Sequence, residues 1–185
     1  MRRRARAPRT PARTTRQDAV AVLKADHRQV EKLFRQFART RSAERKADLA
    51  ARICTALLVH TQIEEEVFYP AFIAATRDRD THHEAVVEHA GARELIYQIR
   101  GSGPYDDYYD ARVTVLAEMI RHHVNEEEQR GGMFAKAKRS KMDLADLGEQ
   151  LRARRQELMA AAEMTEQMHR PAQARFTSIA RVARN

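Results

Sequence analysis

His60 and Glu64 stand four residues apart in the run His60-Thr61-Gln62-Ile63-Glu64-Glu65-Glu66-Val67-Phe68-Tyr69-Pro70. On a helix such a pair shares one face, with about 6 Å between its members along the axis. Ile53, Leu57, Val67 and Ala71 recur at helical spacing on either side. The polar pair therefore points where a core should be. Burying an imidazole and a carboxylate costs free energy unless each finds a partner. The stretch His123-Val124-Asn125-Glu126-Glu127-Glu128 repeats the spacing, and His27 and His89 each follow another apolar stripe. One metal centre faced by four helices accounts for all of them.

The donor types narrow the metal. Imidazole nitrogen with carboxylate oxygen, and no thiolate, suits iron or manganese, and zinc less distinctively. Six protein ligands are more than a single ion needs. Two ions about 3.5–4 Å apart use them naturally, with Glu64 and Glu127 bridging and offsetting the positive charge in a low-dielectric core. The competing reading is a hydrogen-bonded His–Glu network without metal. It requires six polar residues to fall on four core stripes by coincidence.

The elements that must carry these groups can be read from the periodicity. A first helix is expected over 16–40, capped by Thr15, with Val20, Leu23, His27, Val30, Phe34 and Phe37 inward. A second is expected over 43–69, capped by Ser42 and ended or kinked by Pro70. Phe68, Tyr69 and Phe72 would then cover one end of the bundle. A third runs over 82–100 with Asp80 or Thr81 as cap and Val86, His89, Ala92, Ile96 and Ile99 inward. A fourth runs over 105–129 after the stop Gly101-Ser102-Gly103-Pro104. Its stripe is Val113, Leu116, Ile120, His123 and Glu127, with His122 and Glu126 as a rival register favoured less by the bulk of Leu116 and Ile120. Glu65, Glu66, Glu126 and Glu128 are expected to face solvent, and His82 and His83 to lie at the surface. A fifth helix over 140–163, capped by Ser140, carries Leu144, Leu147, Leu151 and Leu158 and serves packing or dimerisation. The fold class is all-α, an up-down-up-down four-helix bundle with one additional helix.

Composition agrees and sets bounds. Among 185 residues there are six glycines and five prolines, few for an all-β chain. The single cysteine, Cys54, excludes an intramolecular disulfide and a thiolate site. It reads as a small buried hydrophobe in a cytoplasmic protein. No apolar run approaches the roughly 18 residues of a membrane span. The net charge of +8 is carried by the ends: residues 1–16 hold seven arginines and no acid, and residues 165–185 four arginines against Glu166. The expected organisation is a basic tail (1–16), a metal-binding bundle (17–138), a C-terminal helix (139–164) and a second basic tail (165–185). Such tails can attach loosely to nucleic acid or simply be solvated.

Four stretches carry a resemblance. Asp26-His27-Arg28-Gln29-Val30-Glu31-Lys32-Leu33-Phe34, His60 to Pro70, Glu88-His89, and His123 to Glu128 followed by Met133-Phe134 are similar to the hemerythrin-like HHE cation-binding domain, over about residues 18–138. The resemblance implies a four-helix bundle with a non-heme di-iron site and selects the His123 register. It implies His27 and His60 on one iron, His89 and His123 on the other, and Glu64 and Glu127 as bridges. Two departures stand out. Oxygen-carrying members have a second histidine one turn from the third-helix ligand, where this chain has Ala85 and Arg93. Ala135 stands where relatives often have proline. One iron is then short a protein ligand, to be completed by water, His82 or an exogenous molecule. The functions implied are binding or sensing of dioxygen or of reactive oxygen and nitrogen species. The alternatives are a peroxide-disproportionating or nitric-oxide-reducing enzyme, or a regulator whose basic tail binds nucleic acid.

Overall fold

A computed structural model of the protein describes residues 17–169, and every described regular element is helical. Helix α1 spans Ala19–Arg39. Its cap is Asp18, whose carboxylate accepts from the Ala21 amide at 2.7 Å; Thr15 lies outside the described residues. Helix α2, Ala43–Ile63, starts at Ser42, whose hydroxyl accepts from the Arg45 amide.

Pro70 neither ends nor sharply breaks the second helix. The chain passes from α2 into one π-turn, Glu64–Phe68, and continues as α3, Tyr69–Thr76. Proline supplies no amide hydrogen to the preceding turn, and its ring crowds the carbonyl four residues back. Widening the turn by one residue accommodates both, and the Tyr69 amide accordingly reaches the Glu64 carbonyl. The widening also shifts the inward stripe. Val67 and Ala71, expected inside, are only half-buried, while Phe68, Tyr69 and Phe72 are fully buried.

Arg77, with φ of 60°, stops α3. Asp78 caps α4, Arg79–Arg100, by accepting from the Thr81 amide, so this helix starts three residues before the expected 82. Asp106 organises the next turn: its carboxylate accepts from the Tyr108 amide and its carbonyl from that of Tyr109. Helix α5 therefore begins at Tyr109 rather than 105, and it ends at Glu128. A short helix α6, Met133–Arg139, intervenes before α7, Leu144–His169. Ser140 does not cap α7. Its hydroxyl donates to the Ala137 carbonyl, and Asp143 caps instead through the Asp146 amide.

Helices α1, α2, α4 and α5 close the bundle, α1 against α2 and α5, and α4 against α2 and α5. Helix α7 packs outside, against α1, α2 and the π-turn, with Leu147 and Leu151 buried. It runs to His169, beyond the expected 164; the tail residues 1–16 and 170–185 lie outside the described residues. Two apolar clusters form. One contains Val30, Phe34, Leu57, Ala92 and Ile120, the other Leu23, Ile63, Phe68, Ala85 and Phe134. His27, His60 and His89 stand between residues of the two clusters on α1, α2 and α4, and His123 follows the first cluster's Ile120 on α5, so a buried polar layer divides the core. Among the described residues no helix is long and apolar enough to cross a membrane.

Candidate metal centre

The polar layer brings the six residues singled out from the sequence to one place. His27, His60, Glu64 and Glu127 each offer a ligand atom, all within 4.8 Å of one another, and Glu64, His89 and His123 do the same. Glu64 belongs to both groups. Its Oε2 lies 3.3 Å from His60 Nε2 and 3.4 Å from His89 Nε2. Glu127 Oε2 lies 3.4 Å from His27 Nε2 and 3.7 Å from His123 Nε2. The two carboxylates thus each face one histidine of either pair. His122, the rival on α5, has an exposed side chain, and His83 is exposed as expected.

The donor chemistry fits cations. The Nε2 atoms of His27 and His60 face each other at 3.0 Å, and those of His89 and His123 at 3.2 Å. Four ring nitrogens and two carboxylates pointing at one another form a poor hydrogen-bonding network, because acceptors outnumber donors. Glu64 Oε1 and Glu127 Oε2 are buried with no hydrogen-bond partner, a costly arrangement in a dry core.

The titration behaviour expresses the same crowding. Burial pushes Glu64 up, but His60, His89 and His123 outweigh it and hold the carboxyl at about 2. Glu127 goes the other way: burial, then the neighbouring Glu64 charge, raises it well above the carboxylate range. Burial pushes His89 down, yet Glu64 and Glu65 prevail and it titrates at about 8. Burial lowers His27. Burial first, and the adjacent Glu64 charge second, thus disfavour the ionised form of Glu127 unless a cation lies between the two carboxyls.

The other nitrogen of each histidine meets a carboxylate. His27 Nδ1 lies 2.9 Å from Glu128, His89 Nδ1 2.9 Å from Glu65, and His123 Nδ1 2.7 Å from Glu88. His60 Nδ1 faces Asp26 at the longer distance of 3.7 Å. Glu65 and Glu128 therefore do not simply face water as expected; they are half-buried and tied to ring nitrogens, while Glu66 and Glu126 are exposed. The hydrogen bond to His27, assisted by Lys24, holds Glu128 at about 2. Carboxylates in this position fix the tautomer so that Nε2 presents its lone pair inward.

The hemerythrin HHE cation-binding domain matches residues 18–137. The chain belongs to that family. A solved HHE domain protein from Mycobacterium kansasii, a homologue of Rv2633c, superimposes with a TM-score of 0.70 at 20% identity, over 84% of this chain and 95% of its own. Among curated proteins, a DNA nickase from Nostoc sp. is 29% identical over 107 residues, 58% of this chain but only 30% of the nickase.

Within this HHE domain the sequence missed one group. The Tyr69 hydroxyl lies 3.2 Å from His89 Nε2, 3.5 Å from Glu64 Oε2 and 3.5 Å from Glu127 Oε1. Burial, followed by the charges of Glu64 and Glu127, raises its pKa well above the usual phenol value. The π-turn is what brings it there, since Tyr69 falls five residues after Glu64 and would leave that face on a regular helix. His82 instead packs edge-on against the Tyr69 ring at 5.5 Å and belongs to neither donor group. Arg93, on the other flank, is taken up by Glu65 at 2.7 Å. On the opposite side, His27, His60, His89 and His123 border a cavity of about 10 Å³, walled by Val30, Leu57, Ile120 and Val124. An outer groove between α1 and α5 shares its His27, Ile120 and Val124 wall.

Proposed function

We propose that this HHE domain holds two iron ions and uses them to bind or sense dioxygen or a reactive oxygen or nitrogen species. In this reading His27 and His60 serve one ion, His89 and His123 the other, and Glu64 and Glu127 span both. Manganese or zinc is the less favoured occupant: an imidazole-rich donor set suits iron better than manganese, and zinc has no redox chemistry to offer a small ligand. The observation that carries the reading is the pair of overlapping donor groups sharing Glu64, with buried carboxylate oxygens that lack any other partner. When bound, the irons supply the redox chemistry and the coordination position for a small ligand.

The chain's own residues do the remaining work. Glu65, Glu88 and Glu128 orient imidazoles. Val30, Leu57, Ile120 and Val124 wall the neighbouring cavity and keep it small: it is at the lower limit of the roughly 10–15 Å³ that one water needs, so a larger ligand must displace these side chains to occupy it. Tyr69 places an oxygen beside His89, where the helix-four neighbours Ala85 and Arg93 offer no second imidazole. That hydroxyl supports an enzymatic alternative, peroxide disproportionation or, with an external electron donor, nitric oxide reduction, in which it would hold or pass on a proton. The optical spectrum of the iron-loaded protein, recorded before and after air, peroxide and nitric oxide, tests the proposal. Reversible spectral change without ligand consumption supports binding or sensing; catalytic loss of peroxide, or of nitric oxide when a chemical reductant is supplied, supports the enzyme; no response to any of them refutes both.

A nucleic-acid role is a further reading, favoured by the seven arginines of residues 1–16 and by the name of the Nostoc relative. Binding to duplex DNA that weakens linearly with log salt supports it. Absence of binding at low salt removes it.

A further inference from the structure

The four histidine–carboxylate pairs are not equivalent. Three are short, and each carboxylate has a further nitrogen partner in the bundle itself, a cation in two of them. Lys24 holds Glu128 at 2.7 Å, Arg93 holds Glu65 at 2.7 Å, and His122 lies 3.4 Å from Glu88. The fourth is built differently. Asp26 and His60 are both buried, yet Asp26 Oδ2 and His60 Nδ1 face each other at 3.7 Å without a hydrogen bond, and neither atom has another partner among the described residues. The other Asp26 oxygen, Oδ1, is held at 3.1 Å by Arg155, which comes from α7 outside the bundle.

Helix α7 is seated firmly enough to hold that contact. Gly148 lies so close to the start of α1 that a Cβ there would meet the backbone of Gln17 and Ala19 at 2.5 and 2.9 Å. Leu151 is fully buried. Arg152 donates to the Gln17 carbonyl at 2.6 Å, and Arg154 pairs with Glu66 beside the π-turn. Arg155 follows one turn after Leu151 and also reaches Gln29 of α1.

We infer that Arg155 is a positioning residue for the metal centre: by gripping Asp26 it sets how closely that carboxylate approaches His60, and so makes α7 part of the site. The inference rests on the metal-binding reading above. A movement of less than 1 Å converts the 3.7 Å approach into a hydrogen bond of about 2.9 Å, so seating or loosening α7 changes the basicity and orientation of one imidazole only. The ion served by His60 is thereby the one coupled to the C-terminal helix.

Chelator-driven iron release from the full-length loaded protein tests this. Wild type, Arg155→Ala, Arg155→Lys, Asp26→Asn, the Arg155→Ala/Asp26→Asn double variant, and Arg152→Ala as a control are compared, with folding verified by circular dichroism. Arg152→Ala cuts another α7 tie without touching Asp26. Partners one bond beyond a metal ligand typically alter affinity about 10–100-fold, and Arg155 stands one contact further out. Expected is an increase of about threefold to tenfold in the release rate of one of the two irons in Arg155→Ala. Arg155→Lys should restore most of the wild-type rate. The double variant should match Asp26→Asn, because both changes act through one contact. Equal rates in Arg155→Ala and Arg152→Ala, or additive effects in the double variant, overturn the inference while leaving the metal site standing. Wild-type protein that takes up no metal overturns both.

Discussion

Removing the metal should make the fold lose stability as pH rises from about 6 to 8.5, a range in which most proteins are near their maximum. In the metal-free fold His89 titrates at about 8, against an ordinary 6.5. A proton held more tightly by the folded chain stabilises it fully below 6.5, and the contribution disappears as pH rises through 8. At 1.36 kcal/mol per pH unit this amounts to about 2 kcal/mol, with little screening because His89 is buried. Glu127 acts in the same direction: raised well above 4.5, it costs the fold stability at every pH where the unfolded chain has released that proton and the folded chain has not. Glu64 and Glu128, both held at about 2, oppose this only in acid, since their contribution is complete above 4.5 and is lost as pH falls through 2; His27, lowered by burial, offsets part of the fall near neutrality, because its cost to the fold fades as pH rises through 6.5. Urea unfolding in the presence of a chelator at pH 6 and pH 8.5 reads the difference. With a slope of about 1–3 kcal/mol per molar, the midpoint should fall by about 1 M. Metal replaces the protons at these atoms, so loaded protein should show no such fall, and uptake should release protons and strengthen with pH. Metal-free stability that is flat or rising between pH 6 and 8.5 refutes the account of how the empty site distributes its charge.

Further outcomes follow from the same geometry. Tyr69→Phe keeps the ring stacked on His89 and removes only the hydroxyl, so the loaded protein should fold normally but change its visible spectrum; identical spectra would show that the oxygen does not reach iron. Val124→Trp should fill the wall shared by the inner cavity and the outer groove, slowing nitric oxide binding about tenfold or more at unchanged iron content. An unchanged rate places the entry route elsewhere. Gly132→Ala would drive a Cβ into the Glu126 carbonyl and within 2.8 Å of that of Glu127. It should destabilise by more than 2 kcal/mol, in the range of other overpacked positions, and lower iron content. Gly131→Ala, with open space around it but φ of 110°, should cost about 1–3 kcal/mol through backbone strain alone.

Much of this architecture can be read from apolar spacing, because each inward group repeats at helical period. Val113, Leu116, Ile120, His123 and Glu127 are all buried, and the resemblance to HHE domains rests on the same residues. What periodicity hides are departures from the regular helix and contacts between helices. Tyr69 cannot be placed beside Glu64 without the extra residue of the π-turn, and the only local sign of that turn is Pro70. Glu65 and Glu128 read as solvent-facing because each lies one residue from an inward glutamate. Their role depends on ring nitrogens of α4 and α1, more than twenty residues away. Asp26 beside His27 gives no hint that it faces His60, nor that an arginine of α7 holds it. Helix starts depart from the periodic pattern where a nearby aspartate takes the cap, as Asp78 does in place of Asp80 or Thr81 and Asp143 in place of Ser140.

Two cations sharing Glu64 and Glu127 between four histidines are the feature on which the proposed function rests. Iron per chain, measured by elemental analysis after anaerobic loading and removal of excess metal, tests it most directly. The account predicts about two in the wild type, a clear loss in His27→Ala, His60→Ala and Glu64→Ala, and no change in His83→Ala. Wild-type protein that retains no metal, or Glu64→Ala protein that retains the full complement, would contradict it.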